Sequence, residues 1–123
     1  MFKPRGEMLW YIPDGYIPEI SSGQLTSHES ICVLNTASED ALLRITIFFE
    51  DRNPMEDIMV VVPARRTKHI RTSTLQQEGT LIPIGVPYAI EVQSDIPIIV
   101  QYSRLDSTQA ENTLMSVMAH PVT

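Results

Sequence analysis

Apolar residues recur at every second position along most of the chain. From Ala41 to Phe49 the odd-numbered residues are apolar, whereas Arg44 and Thr46 fall between them. The same alternation runs from Tyr88 to Val92 and again from Ile96 to Tyr102. Because successive side chains of a strand point to opposite faces, each of these segments predicts a strand with one buried face.

Shorter signals complete an all-β pattern. Ile58 to Val62 is a brief run rich in β-branched residues, which predicts a strand buried on both faces. Ser94-Asp95 lies between two alternating segments and predicts a tight hairpin. Nine prolines oppose long helices, and turn residues recur at short intervals. We therefore predict a single domain over residues 1–123 with an N-terminal arm at 1–8. Its fold class is all-β, an antiparallel β-sandwich of roughly eight or nine short strands with Greek-key or jelly-roll-like topology.

One stretch near the end of the chain is compatible with two structures. Between Ser107 and His120, four apolar residues would form the stripe of a helix, whereas Leu114 to Ala119 alone would form a last strand. We expect the strand, because the other segments are strands that need a β partner.

Composition is that of a folded protein with a negative net charge. Its 43% hydrophobic residues are enough for a packed core, and the formal charge of −6 disfavours nonspecific attraction to nucleic acid. Cys32 is the single cysteine, and its apolar neighbours predict a buried, unreactive side chain. The first residues do not resemble a signal peptide, and no apolar run approaches about 18 residues. We therefore expect a cytoplasmic protein that does not insert into a membrane.

The sequence contains no recognisable catalytic motif. Gly-x-Ser-x-Gly is absent and the five glycines are scattered among turns, so neither a nucleophile elbow nor a phosphate loop is predicted. His28 and Cys32 would lie about 13 Å apart on one strand face, too far apart to share an ion. Adjacent carboxylates such as Glu39-Asp40 would point to opposite faces of a strand. We expect no enzyme activity, no metal and no cofactor.

Residues 65–71 form the most unusual segment. Arg65, Arg66, Lys68 and Arg71 give it four positive charges beside His69, and the remainder, with five basic and fifteen acidic residues, carries −10. Neither face of the extended segment is apolar, which predicts an edge or interface strand. Its charges would protect the edge from aggregation, pair with acids of a neighbouring subunit, or bind an anionic ligand or nucleic acid. We expect a structural role, because the −10 charge elsewhere would repel a polyanion.

A polar stretch follows the last long core strand. It is either a hydrogen-bonded loop or a recognition loop, and its candidate binding residues are Arg104, Asp106, Gln109, Glu111 and Asn112. Trp10 and His28 are further candidates, although Trp10 fits the core or a subunit contact better than a platform that stacks a sugar.

Several blocks of the chain resemble the sensory rhodopsin transducer family, small proteins named for a member that partners a microbial photoreceptor. The most specific block is Pro-Ala-Arg-Arg-Thr-Lys-His at 63–69. The others run in order across nearly the whole chain: Trp10 with Gly15-Tyr16-Ile17-Pro18, Ser27-His28-Glu29, Cys32-Val33-Leu34-Asn35, Ile45-Thr46-Ile47, Leu105-Asp106-Ser107 and Gln109-Ala110-Glu111-Asn112. The resemblance implies a β-sandwich subunit that assembles into a homotetramer, has no enzymatic activity and serves cytosolic signalling or binding. DNA and carbohydrate are both proposed ligands of such proteins.

Three functional hypotheses remain open at this point. In the first, the chain is a non-enzymatic signalling adaptor, a homotetramer that docks a membrane photoreceptor or another signalling protein through its polar loops. In the second, it binds a carbohydrate-like small molecule in a pocket near Trp10 or Asn112. In the third, it is a DNA-binding regulator that groups the basic segments of several subunits.

Overall fold

The computed structural model describes residues 5–18, 28–106 and 113–123. Apart from a 3₁₀ turn at Thr72–Thr74, the regular structure in these ranges is entirely strand, which confirms the all-β prediction. No helix in the described ranges is long and apolar enough to span a membrane. The strands are β1 (Glu7–Tyr16), β2 (His28–Asn35), β3 (Ala41–Phe49), β4 (Met55–Val62), β5 (Arg66–Arg71), β6 (Gln76–Gln77), β7 (Thr80–Leu81), β8 (Pro87–Asp106), β9 (Thr113–Met118) and β10 (His120–Val122).

Two antiparallel layers share the long strand β8. The first half of β8 pairs with β1 and β3, whose outer neighbours are β10 and β4. Its second half pairs with β2 and β9, and β5 lies outside β2. A single hydrophobic core joins residues of both layers, as a sandwich requires.

The predicted hairpin at Ser94-Asp95 is wrong, because β8 continues through it. Ser94 is the last residue of β8 that pairs with β3, and Ile99 is among the first that pair with β2. Asp95 accepts a hydrogen bond from the backbone N–H of Leu42 at 2.8 Å, and Ser94 Oγ accepts one from Ile96 N at 3.3 Å. These polar side chains therefore mark the place where one strand crosses between layers.

The core follows the alternation that the sequence predicts. Trp10, Val92, Ile45 and Ile58 lie side by side on four neighbouring strands and are all buried. The odd-numbered residues of β3 from Ala41 to Ile47 are fully buried. Strands β1, β3, β4 and the first half of β8 therefore each contribute one face to the core, whereas the three residues of β10 are exposed.

The outermost strand of the first layer departs from prediction. We expected Ile58 to Val62 to be buried on both faces, but Met59 and Val61 are about half exposed. The reason is that β4, like β3, turns one face toward the core of the sandwich and its other face away from it, where Leu42 of β3 is exposed too. Asp57 adopts a left-handed conformation (φ 57°) where the β3–β4 register shifts, which is the geometry of a β-bulge.

The structure also bears on the predictions for the N-terminal arm, for Cys32 and for the last segment of the chain. β1 begins at Glu7, so the predicted arm loses Glu7 and Met8 to this strand, and residues 1–4 lie outside the described ranges. Cys32 is only partly buried, because it lies on the outer face of β2 while its neighbours Ile31 and Val33 fill the core. The last segment is a strand, as expected, since β9 pairs with β8 over six residues.

Candidate functional site

The basic segment lies at a sheet edge. β5 pairs with β2 in six consecutive positions, and no described strand pairs with its other side. All of its side chains are exposed except Ile70, which lies opposite Ile31 in the core. The prediction of an edge strand is therefore confirmed for Arg66–Arg71, whereas Arg65 belongs to the preceding turn.

Register divides the side chains of β5 between two directions. Arg66 and Lys68 lie opposite Asn35 and Val33, whose side chains point into the sandwich. They therefore occupy the rim between the layers, and Lys68 Nζ donates to the carbonyl of Val61 on β4 at 3.2 Å. Residues 67, 69 and 71 alternate with them on the outer face.

The cations of this segment have no carboxylate partner in the described ranges. The ion pairs there are Arg44–Asp57, Arg52–Asp51 and Arg104–Glu29. Arg66 donates only to backbone carbonyls, at 3.1 Å to Arg65 and 3.5 Å to Ala64. This edge is therefore positive, and no acid in the part of the chain that the structure describes neutralises its charge.

A buried asparagine holds the turn that leads into β5. Asn35 is fully buried, and its amide nitrogen lies within hydrogen-bond distance of the carbonyls of Glu39, Val62 and Pro63, at 2.8, 3.1 and 3.3 Å. Its amide oxygen accepts from Ala37 N at 3.0 Å. One side chain therefore ties the β2–β3 turn to the end of β4.

Two further hydrogen bonds fix the same turn. Ala64 N donates to Asp40 Oδ1 at 2.9 Å, and Arg65 N donates to the carbonyl of Ala37 at 3.0 Å. Arg65 itself is left-handed (φ 56°), which lets the chain reverse tightly into β5. Because the edge strand is held at its start, a partner that bound it would lose little free energy in ordering it.

A second polar group is buried at the other end of β2. Glu29 is 1% exposed, and its carboxylate accepts from the backbone N–H of Tyr16 at 2.9 Å and from the hydroxyl of Tyr88. Arg104 approaches it with Nε at 2.8 Å and Nη2 at 2.7 Å. This carboxylate therefore joins β1, β2 and both halves of β8, the crossing strand.

The neighbouring phenols complete the network. The Tyr88 hydroxyl lies 2.9 Å from Thr72 Oγ1, and Arg104 Nη2 donates to the Tyr102 hydroxyl at 3.4 Å. Burial, reinforced by the charge of Glu29, raises the pKa of Tyr88 and of Tyr102 well above the ordinary value. A Cβ on Gly15 would lie 2.5 Å from the Tyr88 ring, so this glycine allows the ring to reach Glu29.

The other sequence candidates are dispersed. Trp10 is 5% exposed and its indole N–H donates to the carbonyls of Glu7 and Ile98, at 2.9 and 3.1 Å. Trp10 is thus a core residue in this chain, which is the placement that its sequence context favours over a platform for a sugar. His28 lines a depression of about 40 Å³ beside Glu29 and Arg104.

His69 lies on the outer face of β5, directly opposite Cys32 on β2. These two residues help to line a depression of about 280 Å³ together with Gln101 and Met118. Asp106 ends β8 without a described side chain, and Gln109, Glu111 and Asn112 lie outside the described ranges. Within those ranges no three His, Cys, Asp or Glu side chains group together as metal ligands.

Sequence reasoning missed the two residues that organise these sites. Glu29 and Asn35 share a strand face with Ile31 and Val33, so both polar side chains follow the alternation into the interior. A polar residue that lies on the same face of a strand as buried apolar residues indicates a buried polar group with hydrogen-bond partners, and this pattern is visible in the sequence.

Comparison with known proteins assigns the family. Residues 5–121 match the family described as Anabaena sensory rhodopsin transducer. The chain belongs to this family. Its predicted resemblance to sensory rhodopsin transducers is thereby confirmed, and no curated protein matches the chain significantly.

Two solved structures show the same fold. The crystal structure of Thermotoga maritima 1070 is 38% identical to this chain with a TM-score of 0.85, and the match covers 95% of this chain and 96% of that one. The Anabaena sensory rhodopsin transducer is 42% identical with a TM-score of 0.76, covering 88% of this chain and 96% of its own.

Proposed function

We propose that this protein is a non-enzymatic signalling adaptor that acts in the cytoplasm as a homo-oligomer, a homotetramer, and docks a partner protein. The observation that carries the proposal is the basic edge strand β5, whose cations have no carboxylate partner among the described residues. Membership of a transducer family supports the signalling role. The partner is a membrane photoreceptor, as the family name implies for the Anabaena protein, or another signalling protein.

A protein partner fits this edge better than DNA or carbohydrate. The charge of −10 outside residues 65–71 would repel a polyanion over the rest of the surface. Trp10, the ring proposed for stacking a sugar, is buried in the core. A positive edge on an acidic domain instead matches a compact acidic segment of a partner.

The environment of Glu29 supports a non-enzymatic role. Its carboxylate is buried and already accepts hydrogen bonds from Tyr16 N, Tyr88 and Arg104. A general base needs a free lone pair within reach of a substrate proton. Glu29 is therefore used in holding strands together.

Exposed apolar residues support self-association. Met115, Val117 and Met118 of β9 are each more than half exposed, and Leu42, Met59 and Val61 form another apolar strip on the outer face of β3 and β4. Several exposed apolar side chains on one strand or on two paired strands are typical of protein contacts. Closed symmetry is the usual result when identical chains associate.

The partner can be tested in the native cell by quantitative affinity purification. The charge-neutral pair Arg66→Gln and Lys68→Gln is compared with wild type, and Arg5→Gln with Arg52→Gln is the matched control. We expect one or a few proteins to be enriched with wild type and control but lost with the β5 pair. Equal recovery with all three chains would contradict docking at this edge, and recovery of nucleic acid alone would favour the DNA-binding hypothesis.

A further inference from the structure

The described edges of the sandwich differ in how they are protected. β10 has three residues including Pro121, and β4 carries the bulge at Asp57. Prolines and bulges both prevent a further strand from adding to a sheet. β5 and β9, in contrast, pair regularly over six residues, and no strand in the described ranges pairs with their other side.

The two open edges have different chemistry. β9 has the sequence Thr-Leu-Met-Ser-Val-Met, which is uncharged, whereas β5 carries Arg66, Lys68 and Arg71 within six residues. An uncharged apolar edge suits contact with another copy of the chain. Two copies of β5 would repel each other, because like charges would face one another across the pair.

The acidic edge of another copy is also a poor match for β5. β4 carries Glu56 and Asp57, but the bulge interrupts it at this point. Asp57 is moreover within 3.7 Å of Arg44 of its own chain. The occupant of the β5 edge is therefore better sought in another protein.

We propose that β5 accepts an extended acidic segment of a partner protein, which adds to the second layer as a further strand. Backbone hydrogen bonds along the open edge would supply affinity that is independent of sequence. Arg66 and Lys68 would supply selectivity, since they project on the same side of the strand two residues apart. The inference rests on the proposed docking function and specifies its mode.

This geometry predicts the pattern of the partner segment. Side chains that face Arg66 and Lys68 across an added strand must also be two residues apart, at a spacing of about 6.6 Å. An acidic residue at every second position satisfies both cations at once. The turn held by Asn35 keeps β5 in place before the partner arrives.

The test uses the full-length protein and a capped decapeptide in which Glu alternates with Thr. We expect saturable binding by fluorescence anisotropy, weaker at high salt, and slower hydrogen exchange of the amides in Arg66–Arg71. The same peptide with its six central amides N-methylated keeps its charge but loses its donors, and we expect it not to bind. Equal binding of both peptides would overturn strand addition.

Protein variants test the role of charge separately. Arg66→Glu with Lys68→Glu should weaken binding of the Glu-Thr peptide by about tenfold or more. Arg5→Glu with Arg52→Glu changes net charge equally and should leave binding unchanged. Equal weakening in both pairs would show a general electrostatic attraction and overturn the proposal. Displacement of the peptide by the single-stranded oligonucleotide (dT)10 would do the same.

Docking at β5 and strand addition at β5 can be tested separately. If the Glu-Thr peptide does not bind, while a partner protein is still lost from cells on neutralising Arg66 and Lys68, strand addition is wrong and docking stands. If no partner depends on β5 in cells, the docking function fails even where the peptide binds.

Discussion

The buried carboxylate of Glu29 is where several parts of the chain meet. Tyr16 comes from the end of β1, while Tyr88 and Arg104 come from opposite ends of β8. Burying one charge is costly unless it is paired and hydrogen-bonded, and here both conditions are met. Removing this carboxylate should therefore cost much more stability than removing one partner of an ion pair on the surface.

We expect Glu29→Ala to lower the free energy of unfolding by roughly 3 kcal/mol, because it leaves Arg104 and the Tyr16 N–H without their acceptor. Urea unfolding followed by the fluorescence of Trp10, the single tryptophan, measures the change. Asp51→Ala removes an exposed ion pair and serves as the control. Equal loss in the two variants would contradict the role assigned to Glu29.

Stability should fall in alkaline solution. Burial beside Glu29 raises the pKa of Tyr88 above its ordinary value of 10.0, so the folded chain keeps a proton that the unfolded chain loses. The stabilisation is therefore fully present below pH 10 and declines as the pH rises further. Urea unfolding at several values between pH 8 and 11 should show this slope. Tyr88→Phe should make the free energy of unfolding depend less steeply on pH, whereas Tyr16→Phe, at an exposed tyrosine, should leave this dependence unchanged. An unchanged dependence in Tyr88→Phe would contradict the role assigned to Tyr88.

At the scale of the strand, the turn before β5 depends on Asn35. We expect Asn35→Ala to speed hydrogen exchange in residues 64–71 more than in β3, because three backbone carbonyls and one N–H lose their partner. Exchange followed by mass spectrometry resolves these segments. Asn53→Ala, in the exposed β3–β4 turn, is the matched control. A uniform increase over the whole sheet would argue against a local clamp.

Strand periodicity predicts much of this fold, and its failures have physical causes. The alternation in Ala41–Phe49 gives the buried face of β3 correctly, since it depends only on local geometry. Ser94-Asp95 has the composition of a turn, but the Asp95 side chain accepts a hydrogen bond from the backbone N–H of Leu42 on β3. A hydrogen bond of that kind joins residues that are far apart in the sequence, so it cannot be predicted from local composition.

The candidate site was predicted in part. The basic segment is visible in the sequence because charge clustering is a local property, and it does form an edge strand. The support it receives from Asn35 comes from turns that meet only in the folded chain. The sequence therefore predicts where the positive charges lie, whereas the structure shows that Asn35 holds the turn before β5 in place.

At the scale of the whole molecule, we expect self-association into a homotetramer. Light scattering at micromolar concentration should give about four times the 13.9 kDa of one chain. Val117→Lys, which places a charge on the exposed apolar surface of β9, should reduce this mass if β9 lies in a contact. A monomeric mass for the unmodified protein would refute the assembly.

We propose docking of another protein at the basic edge of this transducer-family protein. Its most direct test places a photo-crosslinking amino acid at Thr67 in β5 or at Asn53 in a distant turn, each in the native cell. We expect a discrete protein adduct at position 67 that resists nuclease and disappears when Arg66 and Lys68 are changed to Glu. Identical adducts at both positions, a nuclease-sensitive adduct, or none at position 67 would contradict it.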